Sequence, residues 1–329
     1  MMGGKRKLDR LKRKLRVISF IFYFILMSSS VYIILDTFVI PHEVTSLEQN
    51  TSIEDTKVSS TKIDSTKDES SESEEADENS TYDNLQATIT SNSYKDDNIS
   101  IEITTSRKND TTYYVAEISL SSAKYLKTAL ANDTYGRNIK DTTSSIAEDN
   151  NAIFAINGDY YGFRDYGYVI RNGVLYRDTA NDGNDALIID ENGNFSIINE
   201  SEVSAKELLD NGAWQVLSFG PGLIENGEIA VGENEEVSRA KTNNPRTSIG
   251  QVDELHYIIV VADGRTSESE GLSLYELAQI MKDYNCTNAY NLDGGGSSTM
   301  YFNGEVVNNP TNGRSSGERS VSDIVYVGY

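Results

Sequence analysis

Three aspartates, each close after an apolar run, are where this sequence offers chemistry: Asp159, Asp263 and Asp293. Carboxylates that converge at strand ends can supply the general acid and the nucleophile or base of glycoside-type hydrolysis, with their pKa values pushed apart. Each of them alone is explained equally well as the cap of a turn or a helix. Taken together, they favour a catalytic cleft.

The run Asp293-Gly-Gly-Gly-Ser-Ser is the most specific of these elements. Its three glycines give up side-chain packing so that main-chain N–H groups can approach a bulky polar group, and anions are the usual partners. A long hairpin turn is the competing interpretation of an isolated triple glycine. A serine nucleophile here would need a base, and the domain offers only His256, at the start of an apolar strand.

Arginines accompany the aspartates along the chain, at Arg171, Arg246, Arg265 and Arg319. A guanidinium group binds phosphate bidentately, although pairing with surface acids is the commoner fate of an arginine. The net charge of −22 argues against nucleic acid or an anionic membrane surface as a partner of the main domain. Any phosphate site must therefore be local.

The chain has few residues that could hold a transition metal: two histidines, His42 and His256, and a single cysteine, Cys286. We therefore expect no zinc-type site, no intrachain disulfide and no cofactor. Aspartate carboxylates with main-chain carbonyls leave calcium as an open alternative.

The N-terminus is typical of a membrane anchor. Residues 1–16 are strongly basic, and the apolar segment 17–40 is long enough to cross the hydrocarbon core. The positive-inside rule predicts a single-pass protein in the cell membrane, with a cytoplasmic N-terminus and an extracellular C-terminal domain. A cleaved signal peptide is the alternative, but the apolar segment is long for one and no convincing cleavage site follows it.

Residues 41–84 are rich in Ser, Thr, Asp, Glu and Lys and poor in aromatic residues. Such a segment cannot bury enough apolar surface to offset its chain entropy, so we predict a disordered stalk, with a binding tail as the less favoured alternative. The remaining residues, 85–329, are predicted to form a single globular domain.

Alternating apolar residues and Asn-Gly turns predict much antiparallel sheet in that domain. The expected hairpins join 99–104 to 112–120, the two halves of 169–176, and 186–190 to the chain after Asn192-Gly193. Short helices are expected at 142–149 and 204–209. The fold class is therefore α+β, a mixed sheet with flanking helices.

The stretch from His256 to Ala262 is continuous and β-branched, as in a strand buried on both faces. A helix follows, with a capping box at Ser273 and Glu276, and then a second strand that ends before Asp293. Strand, helix and strand predict a βαβ unit that brings Asp263 and Asp293 to the same sheet edge, about 4.8 Å apart if the strands are neighbours.

Several segments in this order resemble the phosphodiester glycosidase family, over roughly residues 146–329. The elements that carry the resemblance are Ala155-Ile-Asn-Gly-Asp-Tyr-Tyr, Phe219-Gly-Pro-Gly, Asn244-Pro-Arg-Thr, Val261-Ala-Asp-Gly-Arg, Asn291-Leu-Asp-Gly-Gly-Gly-Ser-Ser and Arg319-Ser-Val. The Leu-Asp-Gly-Gly-Gly-Ser-Ser element is specific. Many relatives read Asn-Gly-Gly-Phe-Phe where this chain has Asn157-Gly-Asp-Tyr-Tyr, which makes Asp159 a candidate subgroup feature.

The resemblance implies hydrolysis of the glycosidic bond in a sugar-1-phosphodiester. It implies Asp293, Asp263 and Asp159 as catalytic candidates, with Asp293 and Asp263 handling proton transfer and attack at the anomeric carbon. It implies substrate-binding candidates, of which Arg246, Arg265 and the loop amides would hold phosphate: Asn157, Arg246, Thr247, Arg265, Gly294, Gly295, Gly296, Ser297, Ser298 and Arg319.

The expected substrate of an anchored extracellular enzyme of this kind is a phosphodiester-linked sugar or glycopolymer of the cell envelope, a teichoic acid, capsule or exopolysaccharide. Two other function classes stay open from the sequence. The same cleft could bind polysaccharide without turnover, helped by sugar stacking on some of the 20 tyrosines. The third and weakest alternative is a purely structural surface domain.

Overall fold

The computed structural model describes residues 2–49, 87–235, 243–313 and 315–329. Its helices are α1 Met2–Phe38, α2 Thr143–Asp149, α3 Ala205–Asp210 and α4 Leu274–Asp283. Short 3₁₀ turns lie at Ala123–Tyr125, Ala131–Asp133, Tyr161–Phe163 and Gly295–Ser297.

Most of the rest is strand. In chain order the strands are β1 His42–Glu43, β2 Glu48–Gln49, β3 Thr88–Ile89, β4 Ser93–Lys95, β5 Ile99–Lys108, β6 Thr111–Leu120, β7 Leu126–Leu130, β8 Gly136–Arg137, β9 Phe154–Asn157, β10 Val169–Arg171, β11 Val174–Arg177, β12 Asp185–Asp190, β13 Phe195–Asn199, β14 Ala213–Leu217, β15 Gly222–Glu225, β16 Glu228–Ile229, β17 Arg246–Asp253, β18 His256–Ala262, β19 Asn288–Asn291, β20 Met300–Phe302, β21 Glu305–Val306, β22 Thr311–Asn312, β23 Ser315–Ser316 and β24 Asp323–Val327.

Three larger sheets carry the architecture of the described chain. The nine-stranded sheet has the order β16-β15-β19-β17-β18-β6-β5-β4-β3, the six-stranded sheet β13-β12-β14-β10-β11-β2, and the five-stranded sheet β21-β20-β9-β24-β7. The predicted α+β class is confirmed, and so are the hairpins β5–β6, β10–β11 and β12–β13.

The nine-stranded sheet is covered on both faces, as the β-branched strand β18 predicts. Its Ile259 packs into the main core together with Phe154 of the five-stranded sheet and Leu187 of the six-stranded one. On the opposite face, Val260 packs with Leu277 of α4. Successive side chains of a strand point to opposite faces, so one continuous apolar strand serves both cores.

Helix α4 begins as the sequence predicts. The Ser273 hydroxyl accepts from the main-chain N–H of Glu276, whose carboxylate accepts in return from the main-chain N–H of Ser273. The capping box thus satisfies main-chain donors that a helix start leaves free.

The strands before Asp263 and Asp293 run parallel in one sheet, as predicted, but they are not neighbours. Strand β17 lies between β18 and β19 and is antiparallel to both, so the two aspartates are separated by two strand spacings, about 9.6 Å, rather than one. The polar sequence of β17 and its central Gly250 do not look like a buried strand. A Cβ at Gly250 would lie 2.6 Å from Met281 Cε of α4, which explains the glycine.

The N-terminal segment 14–38 is long and apolar enough to cross a membrane, and none of it is buried in the protein. A signal sequence meets the same criteria. The predicted disordered stalk, residues 41–84, is wrong for its first residues, which form strands: β1 pairs with β8, and β2 pairs with β11. Polar side chains do not prevent main-chain pairing with a free strand edge. Residues 50–84 lie outside the described part of the chain.

Candidate active site

Strand β19 leads into the glycine loop, residues 293–298, which is packed tightly against its neighbours. Gly295 has a positive φ of 64°, and a Cβ there would lie 2.7 Å from the Arg265 guanidinium. A Cβ at Gly294 would lie 2.8 Å from the carbonyl oxygen of Pro245. The glycines therefore let an arginine and the start of β17 approach the loop closely.

Asp293 lies at the centre of a hydrogen-bonded cluster. Its Oδ2 accepts from Ser297 Oγ at 2.6 Å and from Arg319 Nη2 at 2.7 Å. Its Oδ1 accepts from the main-chain N–H of Gly294 at 2.9 Å. Burial raises the pKa of Asp293, and the Arg319 charge and these hydrogen bonds oppose that rise. The carboxylate is thus fixed in orientation and shielded from water.

Arg319 keeps part of its guanidinium available. Its Nε and Nη2 donate to Ser297 Oγ, at 2.9 and 2.6 Å, and Nη2 also pairs with Asp293. Its Nη1 has no acceptor within the described ranges, and the side chain is 38% exposed. Arg319 can therefore orient Asp293 and still receive an anion from solvent.

Most amides of the glycine loop are already in use. Gly294 donates to Asp293, Gly295 to the Pro245 carbonyl, and Ser297 and Ser298 donate within the 3₁₀ turn. The Gly296 N–H is left without an acceptor in the part of the chain described. The side-chain Oγ of Ser298 is buried and also unpartnered there. The expected cradle of several loop amides is therefore reduced to these two groups.

Asn157 hydrogen-bonds to three separate segments of the site. Its Nδ2 donates to the Asp293 carbonyl at 2.7 Å, while its Oδ1 accepts from Thr247 Oγ1 at 2.8 Å and from the Thr299 N–H at 3.2 Å. Asn157 and Thr247, which the resemblance implies as substrate-binding residues, thus both lie at the loop. Both are fully buried and bonded within the protein, so they hold the loop in place.

The two arginines predicted to hold phosphate differ in surroundings. Arg265 donates Nη2 to Asn244 Oδ1 at 3.1 Å and has no acidic partner among the described residues. Arg246 is buried, and its Nε donates to the Leu272 carbonyl at 2.9 Å. Arg265 is thus the better placed of the two for an incoming anion.

Asp159 belongs to a second, sealed cluster. Arg171 donates Nη2 to Asp159 Oδ2 at 2.7 Å and Nε to Asp323 Oδ2 at 2.8 Å, and all three side chains are at most 2% exposed. Asp159 also accepts from the main-chain N–H groups of Tyr161 and Ser218, both at 2.9 Å. With these partners Asp159 is a structural anchor for the chain after β9.

Asp323 is the residue of this cluster that the sequence did not single out. Burial raises its pKa to about 7, Arg171 opposes the rise and Asp159 adds to it. Its Oδ1 has no hydrogen-bond partner in the described chain, and a Cβ on Gly158 would lie 2.3 Å from that oxygen. The predicted separation of pKa values among Asp159, Asp263 and Asp293 stays a prediction; the raised pKa belongs to Asp323, a carboxylate outside that set.

Asp263 has yet another set of partners. Its Oδ1 accepts from the Asn309 N–H at 2.9 Å and from Asn308 Nδ2 at 3.2 Å, and its Oδ2 accepts from Asn309 Nδ2 at 3.1 Å. Asn308 Nδ2 also donates to the Ser298 carbonyl at 3.0 Å. Asp263 thus positions the chain behind the glycine loop.

The structure therefore groups the predicted site residues unequally. Asp293, Ser297 and Arg319 contact one another, and Arg265 and Asn157 lie against the loop. In the described chain neither Asp159 nor Asp263 hydrogen-bonds to any member of that trio. One feature of the sequence could have indicated Asp323: it is an acid at the first position of an apolar strand, four residues after Arg319.

No group of three or more His, Cys, Asp or Glu side chains suited to a metal ion occurs within the ranges searched. The expectation of a site without a cofactor, with calcium as the open alternative, stays a prediction.

Similarity to known proteins covers much of the globular domain. The family model described as phosphodiester glycosidase matches residues 150–328, more than half of the chain. The chain belongs to the phosphodiester glycosidase family. The matched segment contains both carboxylate clusters and the whole glycine loop.

Two individual relatives are similar to parts of the chain. It is 27% identical over 252 residues to the SPbeta prophage-derived uncharacterized protein YomE of Bacillus subtilis, covering 69% of this chain and 38% of that protein. It is 33% identical over 140 residues to mouse N-acetylglucosamine-1-phosphodiester alpha-N-acetylglucosaminidase, covering 37% of this chain and 27% of that protein. The chain thus spans well under half the length of these relatives.

A solved structure shares the fold. The catalytic domain of zebrafish N-acetylglucosamine-1-phosphodiester alpha-N-acetylglucosaminidase, auto-inhibited by its pro-peptide, superposes with a TM-score of 0.56 at 21% identity. The match covers 70% of this chain and 83% of that one.

Proposed function

We propose that this protein is a membrane-anchored extracellular glycosidase that hydrolyses the glycosidic bond of a sugar-1-phosphodiester in a cell-envelope glycopolymer. The observation that carries the proposal is the cluster of Asp293, Ser297 and Arg319. It offers a fixed carboxylate beside a guanidinium with a free edge, at the end of a strand. Family membership and the named activity of the mammalian relatives support the same chemistry.

The phosphate of the substrate binds at the positive side of the site. The free Nη1 edge of Arg319 and the guanidinium of Arg265 supply charge-assisted hydrogen bonds, and the unpartnered Gly296 N–H supplies a main-chain donor. These groups make a local anion site on a protein whose net charge is −22.

Asp293 acts at the anomeric carbon. Cleavage passes through an oxocarbenium-like transition state, which a nearby carboxylate stabilises. The departing group is a phosphate monoester, a weak base that leaves without a strong general acid. Asp293 therefore either attacks the carbon directly or activates a water, and the configuration of the released sugar distinguishes the two. We assign Asp263 and Asp159 to positioning, which departs from the roles implied by the resemblance.

The location is part of the proposal. The apolar segment 14–38 and the basic residues before it support an anchor with the N-terminus in the cytoplasm. An extracellular domain held at that membrane meets phosphodiester-linked polymers of the envelope.

The test is an assay of reducing-sugar release by the full-length chain in detergent, on a panel of α-linked sugar-1-phosphodiesters. Asp293→Asn should lose turnover by at least about a thousandfold while keeping its thermal unfolding transition. The matched control is Asp110→Asn, whose side chain is 88% exposed and makes no hydrogen bond to residues 293–298 in the described chain; it should keep full activity.

Retained activity in Asp293→Asn contradicts the assignment of that residue. No release from any substrate by a folded wild-type chain contradicts the glycosidase. In that case binding of the uncleaved substrates would favour a polysaccharide-binding protein that assists exopolysaccharide assembly.

A further inference from the structure

A polar pocket lies beside the chain that follows Asp159. It has a volume of about 360 Å³, and its lining includes Arg164, Tyr166, Asn181, Asn184, Asp185 and Phe219. None of these residues belongs to the Asp293 cluster or to the sealed cluster around Arg171.

Arg164 is the unusual member of this pocket. Its guanidinium carbon lies 5.3 Å from the ring centre of Tyr160 and 5.0 Å from that of Phe219. Two aromatic rings so placed attract a cation and limit its rotamers. The guanidinium has neither an acidic partner nor a hydrogen-bond acceptor among the residues described. The half-buried Arg164 is thus fixed in orientation, and its N–H groups can donate to a ligand.

The acids of the pocket are engaged elsewhere. Asp185 Oδ2 accepts from the Gly222 N–H, and Glu235 Oε2 accepts from the Gly232 N–H, both at 3.0 Å. They leave Arg164 available to a ligand, and their remaining lone pairs can accept from hydroxyl groups.

The rest of the lining suits a sugar. Tyr166 is 46% exposed at the rim, where its ring can stack on the apolar face of a pyranose. Asn181 and Asn184 also line the pocket, and amide side chains can hydrogen-bond sugar hydroxyls. Asn184 Nδ2 already donates to the Asp185 carbonyl at 2.7 Å, which leaves its Oδ1 as an acceptor. Aromatic rings, amides and one free guanidinium together match a sugar that carries an anionic group.

The chain at Ser218 to Gly220, which forms part of the pocket, is hydrogen-bonded to the sealed cluster and to the strand that leads to Asp293. The main-chain N–H of Ser218 donates to Asp159 at 2.9 Å, and the Gly220 carbonyl accepts from Asn291 Nδ2 at 2.8 Å. Asn291 ends the strand that leads to Asp293. One side of the pocket is therefore formed by residues that are bonded to the strand leading to Asp293.

We propose that this pocket binds the next phosphodiester-linked unit of the substrate, with its phosphate on Arg164 and its sugar over Tyr166. The inference rests on the proposed glycosidase function and narrows its substrate class. A second anionic subsite identifies the substrate as a polymer with repeating phosphodiesters.

The kinetic experiment compares a short and a long substrate with the full-length chain. The short one is α-N-acetylglucosamine 1-(methyl phosphate), and the long one is a synthetic tetramer of N-acetylglucosamine joined by phosphodiesters. Arg164→Gln should lower kcat/KM on the tetramer about tenfold, mainly through KM, and change it less than about twofold on the short substrate. Arg107→Gln, an exposed arginine on the hairpin β5–β6, should change neither.

A binding experiment separates this proposal from the glycosidase itself. In the Asp293→Asn background, where the tetramer stays intact, calorimetry should show about tenfold weaker tetramer binding when Arg164→Gln is added. Uncharged chitotetraose should bind both proteins equally, because it carries no phosphate.

Equal losses on both substrates, or unchanged tetramer binding after Arg164→Gln, would overturn the subsite. Tetramer binding that depends on Arg164 in a chain without turnover would support the pocket and contradict the glycosidase.

Discussion

In the described part of the chain, two clusters in which an arginine meets a buried carboxylate differ in access to solvent. Around Asp293, the side chain of Arg319 is 38% exposed and keeps one nitrogen free. Around Asp159 and Asp323, Arg171 is 2% exposed and is surrounded by two carboxylates and main-chain carbonyls. The same residue types thus form a solvent-accessible site in one place and a buried ion-pair cluster in the other.

The difference shows what exposure does to an ion pair. A sealed pair has lost its water, so its geometry is strict and the loss of one partner leaves a buried charge. A half-open pair retains donors that can exchange water for a ligand. The Asp293 cluster can therefore do chemistry, whereas the Arg171 cluster fixes the chain on which that chemistry rests.

The sealed cluster should give the largest response to mutation. Arg171→Met should destabilise the protein by about 3–5 kcal/mol, because Asp159 and Asp323 would remain buried without their cation. Urea unfolding followed by the fluorescence of the single tryptophan, Trp214, measures this. Adding Asp159→Asn and Asp323→Asn should restore part of the loss, and a triple variant no more stable than Arg171→Met would contradict the account.

Mutation of the Asp293 cluster should change activity rather than stability. Arg319→Ala should lower kcat/KM on a sugar-1-phosphodiester by about 10²–10³-fold, because it removes the phosphate donor and frees the Asp293 carboxylate. Its unfolding transition should move little, since the side chain is partly exposed. Steady-state kinetics beside urea unfolding checks both, and a variant that unfolds easily but turns over normally would reverse the comparison.

The pH dependence of stability should be traceable to Asp323. Its folded pKa is raised to about 7 by burial, against about 3.9 when unfolded, so the native state holds the extra proton between these values. The contribution of Asp323 therefore favours folding below about pH 4 and is lost as the pH rises to about 7, by roughly 2–4 kcal/mol.

Asp323→Asn should remove that slope. The measurement is urea unfolding of wild type and variant at several pH values from about 4 to 8. The stability of the variant relative to wild type should rise across this window; a constant difference would show that Asp323 does not titrate there.

Gly158 lies between the two clusters, and adding a single methyl group there should lower stability. Gly158→Ala would place a Cβ 2.3 Å from Asp323 Oδ1 and should cost about 1–3 kcal/mol, with lower activity because the neighbouring Asn157 holds the Asp293 carbonyl. The control is Gly232→Ala, where the nearest atom to an added Cβ is 4.0 Å away. Equal stabilities in thermal unfolding would show that the contact is loose.

Local pattern predicted much of the fold. The Asn-Gly turns indicated the hairpins at Gly173 and Gly193, and both glycines have positive φ. The capping box at Ser273 marked the start of α4. These elements depend on a few consecutive residues, whose propensities are visible in sequence.

The candidate site was predictable in part. The glycine loop and Arg319 were recognised from residue type and resemblance, and the structure brings them into contact. The sequence did not distinguish catalytic from positioning roles for Asp263 and Asp159, because a carboxylate at a strand end looks the same whether it faces a cleft or anchors a neighbouring loop.

By itself, the sequence determined the apolar N-terminal segment, the turns, the helix starts and the motifs that define the family. Only the tertiary structure decided that β17 separates the strands before Asp263 and Asp293, and that Asp323 shares Arg171 with Asp159. The reason is distance along the chain: Arg171 and Asp323 are 152 residues apart, and Asn157 and Asp293 are 136 apart. Such pairs form only when packing of the sheets brings distant strand ends together and removes their water.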